Sequence, residues 1–592
     1  MFEDKVRPPM SLALMMRKMW PFMRPYRRGL VLVVGLVIGF VIISRSLPIL
    51  FGLAIDEGIE KGDLSMVWLI ASAYLIFEVL RSSLSFAQSY LMQKVGNRIL
   101  YSVREKLIHH VQRLPARYFD KNPIGRTVTR VTNDIHSLGE LFTQGFTAIF
   151  VNVIELVSII VALTYLSWQL SGLTLFIAPL LVWVSVLISR KIRLVFAEQK
   201  KIISAINSFT AESINGIKVI QLFNNAEKRR QGFAQLSGDY RDQQFLGVRL
   251  FALLWPLLEA FNLVTILTAL FFGALLQSQL DLTVGTLTAF ILLLQGFFRP
   301  LRVILERYNT LQNSLASADR IFTLLEEAEE PLKGASHFET PRLRGDLKFK
   351  DLYLRYEDSG PWVLKNINLH VLPGQSVALV GRTGSGKTSL VAALQKLYPY
   401  QEGEIFIDDI PLSQIPAPDV RRRLAVVQQD PFLFRGTVAS NISLNSPTIS
   451  RSQVERAAQK AHCYLDLDSI VEEKGANLSL GERQLIAFAR ALAFDPDILI
   501  LDEATANIDS LSEQRIQQAT EEITTERTSL IIAHRLSTVL KCDKIVVLSQ
   551  GEVAEVGTHA QLMAKAGLYS ELCRAQLSQT YADQSARDFT RV

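Results

Sequence analysis

The chain has 592 residues, and at roughly 150 residues per domain that predicts about four structural units rather than one core. Hydrophobic residues make up 49% and charged residues 20%, with a mean hydropathy of +0.21, which is too apolar for a disordered or wholly soluble chain and predicts a membrane-embedded part. Lysine and arginine outnumber aspartate and glutamate by 6 (63 against 57), an excess too small to imply nucleic acid as a partner.

Residues 11–20 read as an amphipathic interfacial lead-in. Six apolar runs follow, 29–53, 66–87, 145–166, 172–189, 251–276 and 284–298, each close to the ~20 residues that cross a bilayer as a helix. The helix of the last run is expected to continue past Arg299 and Pro300 into water. The first run is too long for the core of a cleavable signal. Lys5, Arg7, Arg17, Lys18, Arg24, Arg27 and Arg28 precede it, and the connections after the second and fourth runs carry Arg98, Arg104, Lys106, Lys191, Arg193 and Lys200 among others. The loops after the third and fifth runs carry neither lysine nor arginine. Both termini and the two long connections are therefore expected in the cytoplasm. These connections read as helical extensions of the spans, with turns at Pro115, Pro123 and Gly125.

Arg45, Glu78, Arg81, Asn152, Glu155, Glu259, Asn262 and Gln295 lie at membrane depth, where polar groups are expensive. Two readings stay open: hydrogen-bonding glue between helices, or the wall of a cavity for amphipathic or cationic substrates, with Phe251, Trp255, Phe261, Phe290 and Phe297 as apolar lining. A charged, proline-bearing linker follows. Beyond it, short β-rich runs at 377–380, 498–501 and 529–533 alternate with helix-like stretches, which predicts an α/β domain. The expected boundaries are a transmembrane domain at 1–325, a linker at 326–345, a nucleotide-binding domain at 346–576 and a disordered polar tail at 577–592. Cys463, Cys542 and Cys573 have no CxxC spacing, which argues against a disulfide framework or zinc site and for a reducing compartment.

Chemistry first appears in VALVGRTGSGKTS, a hydrophobic strand followed by Gly381, Arg382, Thr383, Gly384, Ser385, Gly386, Lys387, Thr388 and Ser389. This is a P-loop. Its glycines let backbone N–H groups wrap phosphates at a helix N-terminus, Lys387 reaches the β- and γ-phosphates, and Thr388 ligates magnesium. Downstream, ILILDEAT is an apolar strand ending in Asp502, placed to hold magnesium, and Glu503, placed to polarise an attacking water. The expected ligands are ATP and Mg2+.

With NLSLGERQLIAFARAL before that strand and AHRLST after it, the chain resembles the ATP-binding cassette proteins, and over its whole length a half-transporter of the exporter type. The resemblance implies an all-α six-helix transmembrane domain followed by an α/β P-loop cassette. It also implies a dimer in which each ATP lies between one P-loop and the other chain's signature. By motif, Tyr356 in YLRY would stack on adenine, Gln429 in VVQQD would approach magnesium, His534 would contact the γ-phosphate, and Asp509 in ANID would lie at the dimer contact. Gln428 is an alternative to Gln429, and Tyr356 also reads as a strand-end aromatic. PARYFDKNPIGRTVTRVTND and ESINGIKVIQLF resemble the exporters' two coupling segments, with Tyr118 and Phe119 docking into a cassette groove, although both also read as amphipathic helix core.

Where the family has LSGGQ, this chain has Leu478, Ser479, Leu480, Gly481 and Glu482. A β-carbon at 480 closes backbone angles open to glycine, and Glu482 brings an anion towards a triphosphate; Ser479 and Gly481 remain to bind phosphate. This pattern resembles the B-type half of heterodimeric bacterial multidrug exporters, so the expected partner is a different half-transporter with a standard signature; a homodimer is the alternative. Residues 457–477 are shorter than in the family, and Glu472 stands where glycine is usual. The resulting expectation is an ATP-hydrolysing exporter of hydrophobic or amphipathic compounds, drugs or lipids, in a bacterial inner membrane. An ATP-gated channel or sensor is the rival; a soluble ATPase acting on DNA or the ribosome conflicts with the spans.

Overall fold

The computed structural model describes residues 10–141, 143, 146–275, 282–330, 338, 340, 342–357, 359–502, 510–524, 527–533 and 535–575. Its contacts divide the chain into two compact units, one of Met1–Gln112 and Ile124–Glu327, the other of Arg113–Pro123 and Ala328–Val592. The second unit thus includes a short segment from the middle of the first half, the one that carries Tyr118 and Phe119.

The first unit is helical. Helix α1 (Leu12–Met23) is capped by Ser11 and buries Met15, Met19 and Met23, one residue in four, while Leu12, Leu14 and Trp20 stay exposed; this is the amphipathic pattern of the lead-in. After it come α2 (Arg27–Leu53) and α3 (Leu64–Val111), whose start is fixed by the Asp63 carboxylate accepting from the N–H groups of Ser65 and Met66. At 48 residues, α3 continues far beyond its apolar run. A short helix, α4 (Ala116–Lys121), lies between Pro115 and Asn122 and belongs to the second unit. Helices α5 (Phe146–Leu166), α6 (Ile177–Asn215), α7 (Ile217–Leu222), α8 (Ala226–Leu275), α9 (Val284–Gln295) and α10 (Phe298–Leu325) belong to the first, with shorter helices at Ile124–Thr129, Ile135–Glu140 and Trp168–Leu175. Among the described residues, the stretches Leu12–Ile59, Leu64–Val111, Ala148–Leu166 and Val284–Ile304 are long and apolar enough to cross a membrane, and Glu259–Leu275 is apolar but shorter. The run at 172–189 is divided between Trp168–Leu175 and α6.

The last span runs on past Arg299 and Pro300 to Leu325, as expected, but through one tightened turn. The N–H groups of Gly296 and Phe297 bond three residues back, to Leu293 and Leu294, and regular helix resumes at Phe298. Pro300 has no N–H to offer the carbonyl of Gly296. At the other end of α9, Gly285 meets Gly52 of α2 so closely that a Cβ on either would collide with the other's carbonyl. Asp56 clasps this crossing, accepting from the Gly285 N–H at 2.7 Å and the Thr283 hydroxyl at 2.6 Å.

The intramembrane polar residues separate by role. Arg45 of α2 faces Glu155 of α5 at 3.8 Å, Glu78 pairs with Arg81 one turn along α3, and Asn152 donates back to the Ala148 carbonyl at 2.6 Å. Phe290 and Phe297 are buried against Ile159, Leu163 and Leu293, which makes them core rather than cavity lining. The side chains of Phe251 and Trp255 lie outside the described residues.

In the second unit, β1 (Leu347–Leu354), β2 (Leu364–Val371), β4 (Glu402–Ile407) and β5 (Ile410–Pro411) form an antiparallel sheet in the order β2-β1-β4-β5. The larger sheet also contains β3 (Ser376–Val380), β6 (Leu424–Val427), β9 (Ile498–Asp502), β10 (Thr528–Ile532), β11 (Lys544–Ser549) and β12 (Glu552–Gly557), in the order β12-β11-β3-β10-β9-β6; β7 (Gly436–Thr437) and β8 (Ile470–Val471) pair separately. Strands β3, β9 and β10 run parallel in the middle and are almost wholly buried. Their near-continuous apolar sequences are those of strands covered on both faces.

Candidate nucleotide-binding site

Ile532 lies opposite both Leu379 and Asp502, and Val427 lies opposite Leu501. The carboxyl ends of β3, β10, β9 and β6 therefore share one edge of the sheet, where an α/β fold places its ligand crevice. The loop 381–386 leaves β3 there, Asp502 ends β9, and Gln428 and Gln429 follow β6.

The loop is built for close approach. Gly384 and Gly386 have φ of +83° and +103°, angles that a side chain disfavours. A Cβ on Gly386 would lie 2.7 Å from Leu364 Cδ2, whereas Gly384 faces open space. Gly386 caps α11 (Lys387–Leu394), whose first turn carries Lys387, an exposed Thr388 and a buried Ser389. The Lys387 ammonium donates to the carbonyls of Gly381 at 2.7 Å and Arg382 at 3.2 Å. Burial lowers its pKa below the usual lysine range, and the charge of Asp502 opposes that shift. Ser385 Oγ is buried without a hydrogen-bond partner, an orphan that a bound anion would satisfy. Thr383 and Arg382 are exposed beside a cavity of about 500 Å³ whose other wall includes Leu548, Gln550, Leu568 and Glu571. These features fit a polyphosphate.

Tyr356 follows β1 and reaches the same helix: its hydroxyl lies 2.8 Å from Ser389 Oγ, and its ring meets Tyr398 edge to face at 4.7 Å. Tyr398, which steadies that ring, carries no motif and was not legible in the sequence. Both Gln428 and Gln429 are exposed, and the backbone carbonyl of Gln429 accepts from Gln484 at 3.2 Å. With Thr388 and Asp502, that edge offers oxygen donors of the kind magnesium takes. Glu503, Asp509 and His534 lie outside the described residues.

Gln484 belongs to α12 (Leu480–Ala493), the signature helix, which begins at Ser479. Glu482 accepts both the Ser479 N–H at 2.8 Å and its hydroxyl at 2.9 Å, while Ser479 Oγ accepts the Glu482 N–H at 3.2 Å. This reciprocal capping box places a carboxylate from the chain itself on the helix end that a phosphate would use. Gly481 is buried and Leu480 half-buried. Nearby, Glu472 donates its N–H to Asn477 at 2.9 Å ahead of a left-handed turn at Lys474 and Gly475.

The two coupling-like segments differ. In α4, Tyr118 is buried and packs edge-on against Phe119 at 5.3 Å; around α7, Val219, Leu222 and Phe223 are exposed.

A family model described as the ABC transporter transmembrane region matches residues 30–301, and one described as ABC transporter matches residues 364–506. The chain is 35% identical to a probable multidrug resistance ABC transporter ATP-binding/permease protein, YheH, of Bacillus subtilis, over 86% of this chain and 76% of that protein. It is 31% identical to an ATP-dependent lipid A-core flippase of Vibrio vulnificus, over 95% of this chain and 98% of that protein. Its fold is similar to the solved structure of a bacterial Atm1-family ABC exporter with ATP bound, with a TM-score of 0.77, 25% identity, and coverage of 93% of this chain and 98% of that one.

Proposed function

We propose, from the premise that this chain belongs to the ABC transporter family as a half-transporter of the exporter type, that it is the catalytic half of a heterodimeric exporter of hydrophobic or amphipathic compounds. It is an integral membrane protein whose ATPase activity is coupled to transport. The observation that carries the heterodimer is the capping box: Glu482 occupies the N-terminus of the signature helix, so a partner's P-loop finds an anion where its own γ-phosphate should dock. The intact P-loop of this chain would instead work against a partner's standard signature. In that site Lys387 and the loop amides hold the triphosphate, Tyr356 receives the base, Glu503 takes the proton of the attacking water, and His534 steadies the γ-phosphate. Thr388, Asp502 and Gln429 would hold magnesium, which offsets phosphate charge when bound. Asp509 would sit at the contact between cassettes. Multidrug and lipid-flipping relatives support an amphipathic substrate, their bacterial sources support an inner membrane, and the placement of lysine and arginine supports both termini in the cytoplasm.

Native mass spectrometry of the complex purified from its own membranes, with ATP turnover measured on the same sample and on this chain alone, tests the reading. A second half-transporter in the complex and near-inactivity of the isolated chain are the expected results. An active homodimer would overturn the heterodimer.

A further inference from the structure

The helix that begins at the phosphate loop ends on an arginine. At the C-terminus of α11, Arg421 donates from Nε to the Gln395 carbonyl at 3.1 Å and from Nη2 to the Lys396 carbonyl at 3.0 Å, satisfying carbonyls that have no partner within the helix. The same guanidinium grips Glu330 with both Nη atoms, at 2.8 and 2.6 Å. Glu330 in turn donates its backbone N–H to the Arg113 carbonyl at 2.9 Å, and Glu329 faces the Arg113 guanidinium at 3.7 Å. Two residues beyond Arg113, Pro115 caps α4. A connected set of hydrogen bonds thus runs from the far end of the phosphate-binding helix, through the side chains of Arg421 and Glu330, to the root of the coupling-like helix.

This junction is not a packed core. A cavity of about 470 Å³ is lined by Pro115, Glu329, Glu330, Lys396, Leu397 and Tyr398, among others. Close-packed interiors transmit strain through every neighbour, but across a cavity it must travel through the bonds that bridge it. Arg421 suits that task because its planar fork fixes direction as well as distance. The helix between is short and hydrogen-bonded throughout, so a displacement of its first turn towards phosphate appears at its last.

We infer that Arg421 is a positioning residue for the reaction cycle, relaying nucleotide occupancy of the P-loop through Glu330 to the segment Arg113–Pro123. The inference rests on the reading of residues 381–389 as the nucleotide site. The alternative is that Arg421 only caps α11 and Glu330 only neutralises it.

Hydrogen–deuterium exchange on the full complex, with and without magnesium and a non-hydrolysable ATP analogue, separates the two. In the wild type, nucleotide slows exchange of 113–123 about tenfold and also protects 381–389. Glu330→Gln leaves both cap hydrogen bonds of Arg421 in place, so a purely structural role predicts the full response. A relay predicts that the response of 113–123 falls below about twofold while 381–389 stays protected. Arg421→Lys, which keeps the charge but not the fork, should give the same split, and the double variant should be no worse than either single. A wild-type response of 113–123 in Glu330→Gln, or none in the wild type itself, overturns the relay. Absence of protection at 381–389 in the wild type would instead overturn the nucleotide site, and the relay with it.

Discussion

The cassette presents two surfaces to nucleotide, and they solve the same problem in opposite ways. On the P-loop surface, glycines hold backbone angles closed to other residues, Ser385 Oγ is left without a partner, and Lys387 is parked on carbonyls of its own loop; the loop supplies no negative charge of its own. On the signature surface, the Ser479 N–H and hydroxyl already donate to Glu482, and the Glu482 N–H to Ser479 Oγ. A helix N-terminus binds phosphate because its N–H groups lack partners, and a terminus that supplies its own carboxylate sets an anion beside the donors it still offers. Sequence similarity alone treats both surfaces as parts of one site; their hydrogen bonding makes them unequal.

The largest way to test this inequality is at the Walker strand. Glu503→Gln should reduce ATP turnover of the complex by about 10²- to 10⁴-fold, the usual worth of a general base, while binding of a fluorescent ATP analogue persists; unchanged turnover would remove Glu503 from the site. Next comes Gly386→Ala, which sets a methyl against Leu364 at a φ of +103°. It should weaken nucleotide binding by about tenfold or more, given a strain of order 1–3 kcal/mol, read by equilibrium titration. A similar glycine change on the other surface should act in the opposite direction. Leu480→Gly with Glu482→Gln keeps a capping side chain but removes the anion from that helix end, and should raise turnover of the complex about twofold if one silent site awakens; no gain would mean that more than the signature keeps it silent. The smallest effect belongs to Ser479→Ala. Losing that cap should cost about 1 kcal/mol, a fall of about 2–4 °C in the melting temperature of a domain of this size, with turnover little changed; a large loss of turnover would show the serine working on phosphate after all.

Much of this contrast was legible in the residues. The P-loop, the Walker strand and the departure at Leu480 are local patterns whose chemistry follows from residue type and spacing, and the parallel strands were visible as apolar runs too short for helices. What Glu482 does was legible in full: its charge is in the sequence, and Ser479 and Glu482 stand at the spacing of a capping box ahead of an apolar run, a signal that the reading of the motif as a departure from LSGGQ passed over. Arg421 and Tyr398 were invisible because each acts on residues distant in sequence or carries no signature of its own. That the last helix continues past Pro300 was legible; the tightened turn at Gly296 was not, because apolar composition continues through it, although Pro300, four residues on, held the physical reason. Phe290 and Phe297 misled in the opposite sense, since an aromatic at membrane depth suits a helix–helix core as well as a binding wall.

The length of α3 has a mechanical consequence. Its 48 residues contain no proline, so at 1.5 Å per residue the helix is a lever about 72 Å long, and a tilt of about 5° at one end sweeps the other through about 6 Å. A small rotation about the end where Leu107 and His110 are buried is therefore large enough, at the Leu64 end, to open a passage of molecular width.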